Sequence, residues 1–186
     1  MPEKISVREL TVIGLMTAAL CVLAPFSIML PGMVPISLAT LVIYFYPYIL
    51  GTNRSTICCL IYIALGAAGV PVFSGFKAGL PVLFGPTGGY IIGYLLIIMF
   101  EGSAVKRFPK MRLAHVIGII MGTIGCYALG TVWLAISMKL SFTAALAAGV
   151  LPFIPFDAVK AALAVTIAPV ICSRLEKAGV LPGSRA

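Results

Sequence analysis

The chain has 186 residues, 61% of them hydrophobic and 10% charged, with a mean hydropathy of +1.15 and a formal net charge of +8. Too few charges are present to clothe a soluble domain of this length, so the composition excludes a water-soluble globular protein and fits an integral membrane protein of one domain, residues 1–186. The basic excess does not mark a nucleic-acid binder. Lys and Arg collect at the ends of apolar segments, with no basic stripe interleaved with aromatics, and the expected surroundings are a lipid bilayer.

A membrane helix takes roughly 20 residues, and the pattern predicts an all-α chain of six transmembrane helices. The first covers about residues 7–23. It is expected to be retained, because its apolar run is membrane-length and lacks a small-residue cleavage site. Its pairs Gly14/Ala18 and Thr17/Cys21 put small residues four apart, which suits close approach of another helix, internal or from another subunit. After the breaker run LPGMVP (residues 30–35), the second helix covers about 37–50 and the third 55–68. Both are short, which implies tilt or burial.

Residues 69–81 are too apolar for an ordinary surface loop and too rich in Gly and Pro for a helix. They predict an ordered loop packed over the bundle, with an interfacial turn as the alternative. The fourth helix covers about 88–105, the fifth 113–138, and the sixth lies between 144 and 174, with Pro152 and Pro155 breaking its first part. Six spans put Lys4, Arg8, Arg54, Lys106, Arg107, Lys110, Arg112, Arg174, Lys177 and Arg185 on one side and only Lys77 and Lys139 on the other. The positive-inside rule then makes both termini cytoplasmic.

Lys160 belongs to neither side. It lies with Asp157 inside the last apolar stretch, in FIPFDAVKAAL (residues 153–163). The i, i+3 spacing puts both on one helix face. Each charge costs at least ~2.5 kcal/mol at the bilayer centre, so such residues face the bundle interior and pair or touch a solute. Two readings stand: a structural ion pair, or a pair whose unused valences bind a polar solute. Lys77 is either a solvated charge or a cation at the mouth of a pocket, for which Phe73, Phe76 and Phe84 offer apolar cover. The stretch GPTGGY (residues 85–90), ending in Tyr90, opens the fourth helix. Thr87 is the expected N-cap, and Gly88 allows close backbone approach of a ligand at the helix N-terminus, or a plain helix start.

No enzyme signature is present. Asp157 is read as the only carboxylate deep in an apolar segment, with Glu101 placed late in the fourth helix. No GxSxG, HExxH or nucleotide motif occurs, so any ATP-driven step needs another subunit. Cys21, Cys58, Cys59, Cys126 and Cys172 form no CxxC, and His115 has no partner at metal spacing, so no cofactor or metal is expected.

The stretches VPISLATL, LGAAGVPVFSGFKAG, GPTGGYIIGY and FDAVKAALA resemble the BioY family, the biotin-specific substrate-binding (S) components of energy-coupling-factor transporters. The resemblance implies a six-helix protein of the cell membrane that binds biotin near its extracytoplasmic side. It implies as partners a transmembrane coupling (T) component and two cytoplasmic ABC ATPases. Asp157 and Lys160 match the family's ligand-contacting D-x-x-K. The glycine-rich loop falls on Pro71 to Gly79, giving Phe73, Gly75, Phe76, Lys77 and Gly79 a lid-like role, and the docking motif falls near Gly14, Ala18 and Cys21. The chain departs from the pattern at Ala39, where relatives often carry Gln, at Thr52-Asn53, where Gly-Pro is frequent, and at Phe76, where a second Gly is usual. Lipoate, which lacks a ureido group, ranks second as ligand, and a structural membrane protein without ligand is the alternative of another class.

Overall fold

The computed structural model describes residues 6–29 and 34–179. Helix α1 (Val7–Leu23) starts at a reciprocal cap: the Ser6 hydroxyl accepts from the Glu9 amide, and the Glu9 carboxylate accepts from the Ser6 amide. The chain then forms β1 (Ser27–Ile28), which pairs antiparallel with β2 (Ile36–Ser37). This small ribbon is a local addition to an otherwise helical chain, which keeps the expected all-α class. Val34 and Pro35, the described part of the breaker run, lead into β2; residues 30–33 lie outside the described residues.

Helix α2 (Ala39–Ala67) contains the two short helices expected at 37–50 and 55–68. They are interrupted at Gly51, whose φ of 70° and ψ of 172° are non-helical and open only to glycine. A straight helix would separate Thr40 from Gly66 by about 39 Å. Instead Thr40 and Phe73 border one cavity, and the Phe73 ring lies against Gly66. The chain therefore doubles back at Gly51, and its two limbs run in opposite directions.

The remaining helices are α3 (Leu80–Phe84), α4 (Gly88–Arg107), α5 (Arg112–Met138), α6 (Phe142–Gly149) and α7 (Phe153–Lys177). The expected break around Pro152 is the boundary between α6 and α7. Pro152 caps α7, where its fixed φ suits a helix start and its missing N–H leaves no bond unmade.

Helices α1, α4, α5, α7 and the limbs of α2 run between two ends. At one end lie the ribbon, the 69–79 loop and the start of α7. At the other, Arg54 pairs with Glu9, and Thr52 packs on Gly102. The described cations Arg8, Arg54, Lys106, Arg107, Lys110, Arg112, Arg174 and Lys177 fall on this second side, and Lys77 and Lys139 on the first. Among the described residues, four helices, α2, α4, α5 and α7, are long and apolar enough to cross a membrane.

The outside is apolar: Ile117, Ile124, Ile136, Val159 and Val170 are exposed, while Tyr44, Tyr46, Tyr62 and Phe73 are fully buried. An apolar exterior suits a lipid-facing bundle, and the chain is a membrane protein. Helices α4 and α5 approach closely because Gly122 leaves room for the Ile97 backbone; a Cβ there would stand 2.6 Å from the Ile97 Cα.

Candidate binding site

Helix α7 presents Asp157 and Lys160 one turn apart, near its N-terminus, where they are 5% and 8% exposed. Lys160 Nζ donates to Asp157 Oδ1 at 3.0 Å, to Thr40 Oγ1 at 2.8 Å and to the Ser37 carbonyl at 2.8 Å. The Thr40 hydroxyl donates in turn to Asp157 Oδ1 at 3.0 Å, and the Tyr127 hydroxyl donates to Oδ2 at 2.7 Å. The β2–α2 junction holds Ser37 in place: its hydroxyl donates to the Ala24 carbonyl and accepts from the Ala39 amide. Ala39 itself is buried at that helix start.

This geometry corrects one expectation. All three ammonium protons of Lys160 are engaged within the protein, so the ammonium has none to spare for a solute. Asp157 accepts three hydrogen bonds where a carboxylate can take about four. The spare capacity of the pair is therefore in acceptors, at Asp157.

Asp157 and Lys160 border a cavity of about 60 Å³. Thr40, Tyr127, Phe73, Lys77, Thr87 and Tyr90 also line it, and so do Ser74 and Tyr94. Among the described residues, the side chains of Ser74, Lys77, Thr87 and Tyr94 make no hydrogen bond. They are the donors left over for a solute carbonyl or carboxylate. The Phe153 ring stacks on Tyr90 at 6.5 Å and completes an apolar wall. The volume suits a few waters, whereas pockets that enclose a small organic ligand run about 300–1,000 Å³. Taking up such a ligand requires the wall to move.

The wall best built to move is the 69–79 loop. The Phe73 amide donates to the Lys77 carbonyl at 3.0 Å, which closes a short hairpin. Its tip carries two left-handed residues, Gly75 (φ 71°) and Phe76 (φ 58°). Glycine enters that region freely; a bulky residue does so at a cost of roughly 1–2 kcal/mol. The edge-to-face contact of Phe76 with Phe26, at 5.6 Å, offsets part of that strain. Phe73 plugs the cavity, fully buried and edge-on to Tyr62 at 5.5 Å.

Of the expected site residues, Gly75, Phe76, Gly79 and Gly88 lie outside the cavity wall. Phe76 and Phe84 are exposed. Gly75 and Gly79 use their amides on the Pro25 and Gly66 carbonyls, which anchors the loop. Thr87 does cap α4, but its side chain makes no capping bond. The Gly88 amide bonds the Gly85 carbonyl, and its missing side chain makes room for the Leu83 backbone, so Gly88 serves packing rather than ligand approach. The Trp133 indole N–H donates to the Gly85 carbonyl at 2.9 Å and pins this turn.

Gly14 and Ala18 are exposed on the outer face of α1, with no neighbour within 4 Å of a Cβ built on Gly14; Cys21 is half-buried. Asp157 is not the only deep carboxylate, because Glu101 is 0% exposed inside α4. Sequence reasoning missed Ser37, Thr40 and Tyr127. Their only signal was a hydroxyl within or beside an apolar segment; the partnership across three helices leaves no mark in one sequence.

Residues 1–177 match the profile of the BioY family. The chain is 36% identical to the biotin transporter BioY of Thermotoga maritima over 171 residues, covering 91% of this chain and 96% of that one. It is 34% identical over 155 residues to the biotin transporter BioY2 of Lactococcus lactis subsp. cremoris, covering 83% and 85%. Among solved structures it is similar to the S-component for biotin from an ECF-type ABC transporter, with a TM-score of 0.82, 29% identity and 95% of each chain covered.

Proposed function

This chain belongs to the BioY family, and on that footing we propose that it is the membrane-embedded binding subunit for biotin uptake through an ATP-driven energy-coupling-factor transporter. It is a transport component and not an enzyme. The observation that carries the reading is the Asp157–Lys160–Thr40–Tyr127 network bordering a cavity.

Biotin fits this chemistry. Its ureido ring has two N–H donors and one carbonyl acceptor. Asp157, with acceptor capacity left, takes an N–H, and the hydroxyls of Thr87, Ser74 and Tyr94 are the donors for the carbonyl. Lys160 acts mainly on Asp157, holding its carboxylate in place. The apolar bicycle and chain suit Phe73, Ile91 and Phe153, and the exposed Lys77 at the cavity mouth suits the ligand carboxylate. Lipoate offers no ureido group and leaves Asp157 without its partner, so it ranks second.

In this reading the chain is one domain, residues 1–186, with six spans formed by α1, the two limbs of α2, α4, α5 and α7. The cation-rich end is cytoplasmic, with both termini, in the plasma membrane. The cavity then opens extracytoplasmically under the 69–79 loop, which acts as a lid. The exposed small-residue face of Gly14, Ala18 and Cys21 meets the transmembrane coupling component, which links it to two ATPases. No cofactor takes part; biotin is cargo.

Calorimetric titration of the purified protein with biotin, desthiobiotin and lipoate tests the proposal. Biotin and desthiobiotin, which share the ureido ring, should bind far more tightly than lipoate. Tighter binding of lipoate, or no binding of any of the three, would overturn it.

A further inference from the structure

Glu101 is the second carboxylate inside the bundle, and nothing in the described protein pairs with it. It is fully buried, and neither carboxyl oxygen has a hydrogen-bond partner. Among the described residues the ion pairs are Glu9–Arg54 and Asp157–Lys160. Glu101 lies at the end of the bundle away from the cavity, where α2 and α5 pack on α4. Its Cα is in close contact with Gly118 of α5, and Thr52 of α2 lies against the adjacent Gly102.

The groups around it are polar, and two of their atoms are also buried without a partner. From α2, the buried Tyr44 and Tyr48 lie on the limb that packs on α4. From α5, His115 meets the Tyr48 ring edge-on at 5.3 Å, and Arg112 stands at the exposed start of the helix. The Tyr44 hydroxyl is satisfied by Thr123 at 2.8 Å, but the Tyr48 hydroxyl and His115 Nδ1 are buried with no partner. The histidine tautomer follows from its other nitrogen. His115 Nε2 is 2.9 Å from the Phe108 carbonyl oxygen, which only accepts. Nε2 therefore carries the hydrogen, and Nδ1 of the neutral ring offers a bare acceptor into the cluster.

An ionised carboxylate with no cation and no donor is costly in a protein interior, where the group neutralises instead. A carboxylic acid is neutral, and it both donates and accepts. A phenol that donates and accepts, and an imidazole nitrogen that accepts, complement it. A metal ion fits less well, because the described residues hold no group of three or more His, Cys, Asp or Glu ligands. We propose that Glu101, with Tyr48 and His115, forms a proton-binding site at the junction of α2, α4 and α5, bridged by internal water and separate from the ligand cavity. Loss of that proton places a charge in the packed junction, so proton occupancy and the packing of this end of the bundle are coupled.

Infrared spectroscopy of the full protein carrying carbonyl-labelled glutamate tests this, because the label separates Glu101 from Asp157. At neutral pH the wild type should show the carbonyl stretch of a protonated acid, shifted by the label and absent from Glu101→Gln. In Tyr48→Phe the band should persist at higher frequency, because the bridging water loses a partner and binds the acid more weakly; a purely steric role for Tyr48 would leave it in place. Only ionised glutamate bands in the wild type, or glutamate bands that respond to sodium, would overturn the proton site. A band unmoved in Tyr48→Phe would overturn the three-residue assignment. Should Glu101→Gln fail to fold, the labelled wild type and Tyr48→Phe still decide between these results.

Discussion

The two ends of this bundle bury a carboxylate in opposite ways. At the cavity, Asp157 accepts from an ammonium and two hydroxyls, and Lys160 has every proton engaged. At the other end, Glu101 is more deeply buried and has no partner. The first arrangement holds a charge where a solute with N–H donors can reach it. The second is stable only if the group carries no charge. Burial alone therefore does not identify the ligand site; the partners do. An ion pair and two hydroxyl bonds hold Asp157, and charge pairing distinguishes the two carboxylates more sharply than depth.

The largest break in this comparison comes from Asp157→Ala. It strands the Lys160 ammonium in the interior, and removing one partner of a buried pair typically costs ~3–5 kcal/mol. Thermal unfolding in detergent should show a clear loss of stability, and ligand binding should vanish with it. Tyr127→Phe is milder. It removes one hydroxyl donor to a charged carboxylate, an interaction of roughly 1.5–3 kcal/mol, and biotin affinity measured by calorimetry should fall about tenfold or more. Lys77→Ala removes an exposed cation at the mouth, where such contacts contribute about 0.2–1 kcal/mol. Affinity should fall only a few-fold, and the effect should fade in high salt. The smallest effect is expected from Glu101→Gln. An amide of the same shape replaces an acid proposed to be neutral, so the melting temperature should shift far less than in Asp157→Ala. A large loss there would erase the distinction between the two ends.

Much of this contrast was legible in the sequence, and some of it was not. The i, i+3 pair in FDAVK announced itself because two charges in an apolar stretch have few alternatives to facing inward. The Gly51 reversal was visible as the gap between two short apolar segments. Phe73 and Lys77 were found as well, through a loop too apolar for a surface turn. What stayed hidden depends on contacts between distant segments. Thr40 and Tyr127 are ordinary residues until the fold brings them to Asp157, 117 and 30 positions away. The spare valences assigned to Lys160 disappeared for the same reason, since Ser37 supplies a backbone carbonyl that no side-chain reading would include. Glu101 was placed near the end of a helix by sequence position, whereas α2 and α5 cover it completely. The ribbon of β1 and β2 has only two residues per strand, too few for any alternation to register.

The account rests on Asp157 as the charged acceptor for the ligand's N–H groups, and calorimetric titration of Asp157→Asn with biotin and desthiobiotin tests it most directly. The amide keeps the shape and one acceptor oxygen but loses the charge. A hydrogen bond to a charged group contributes roughly 1.5–3 kcal/mol, so affinity for both ligands should fall in parallel, by about ten- to a hundredfold, in a variant whose folding is verified by its melting transition. If the folded variant binds both as tightly as the parent chain, the Asp157–Lys160 pair is structural and the ligand is read by other residues.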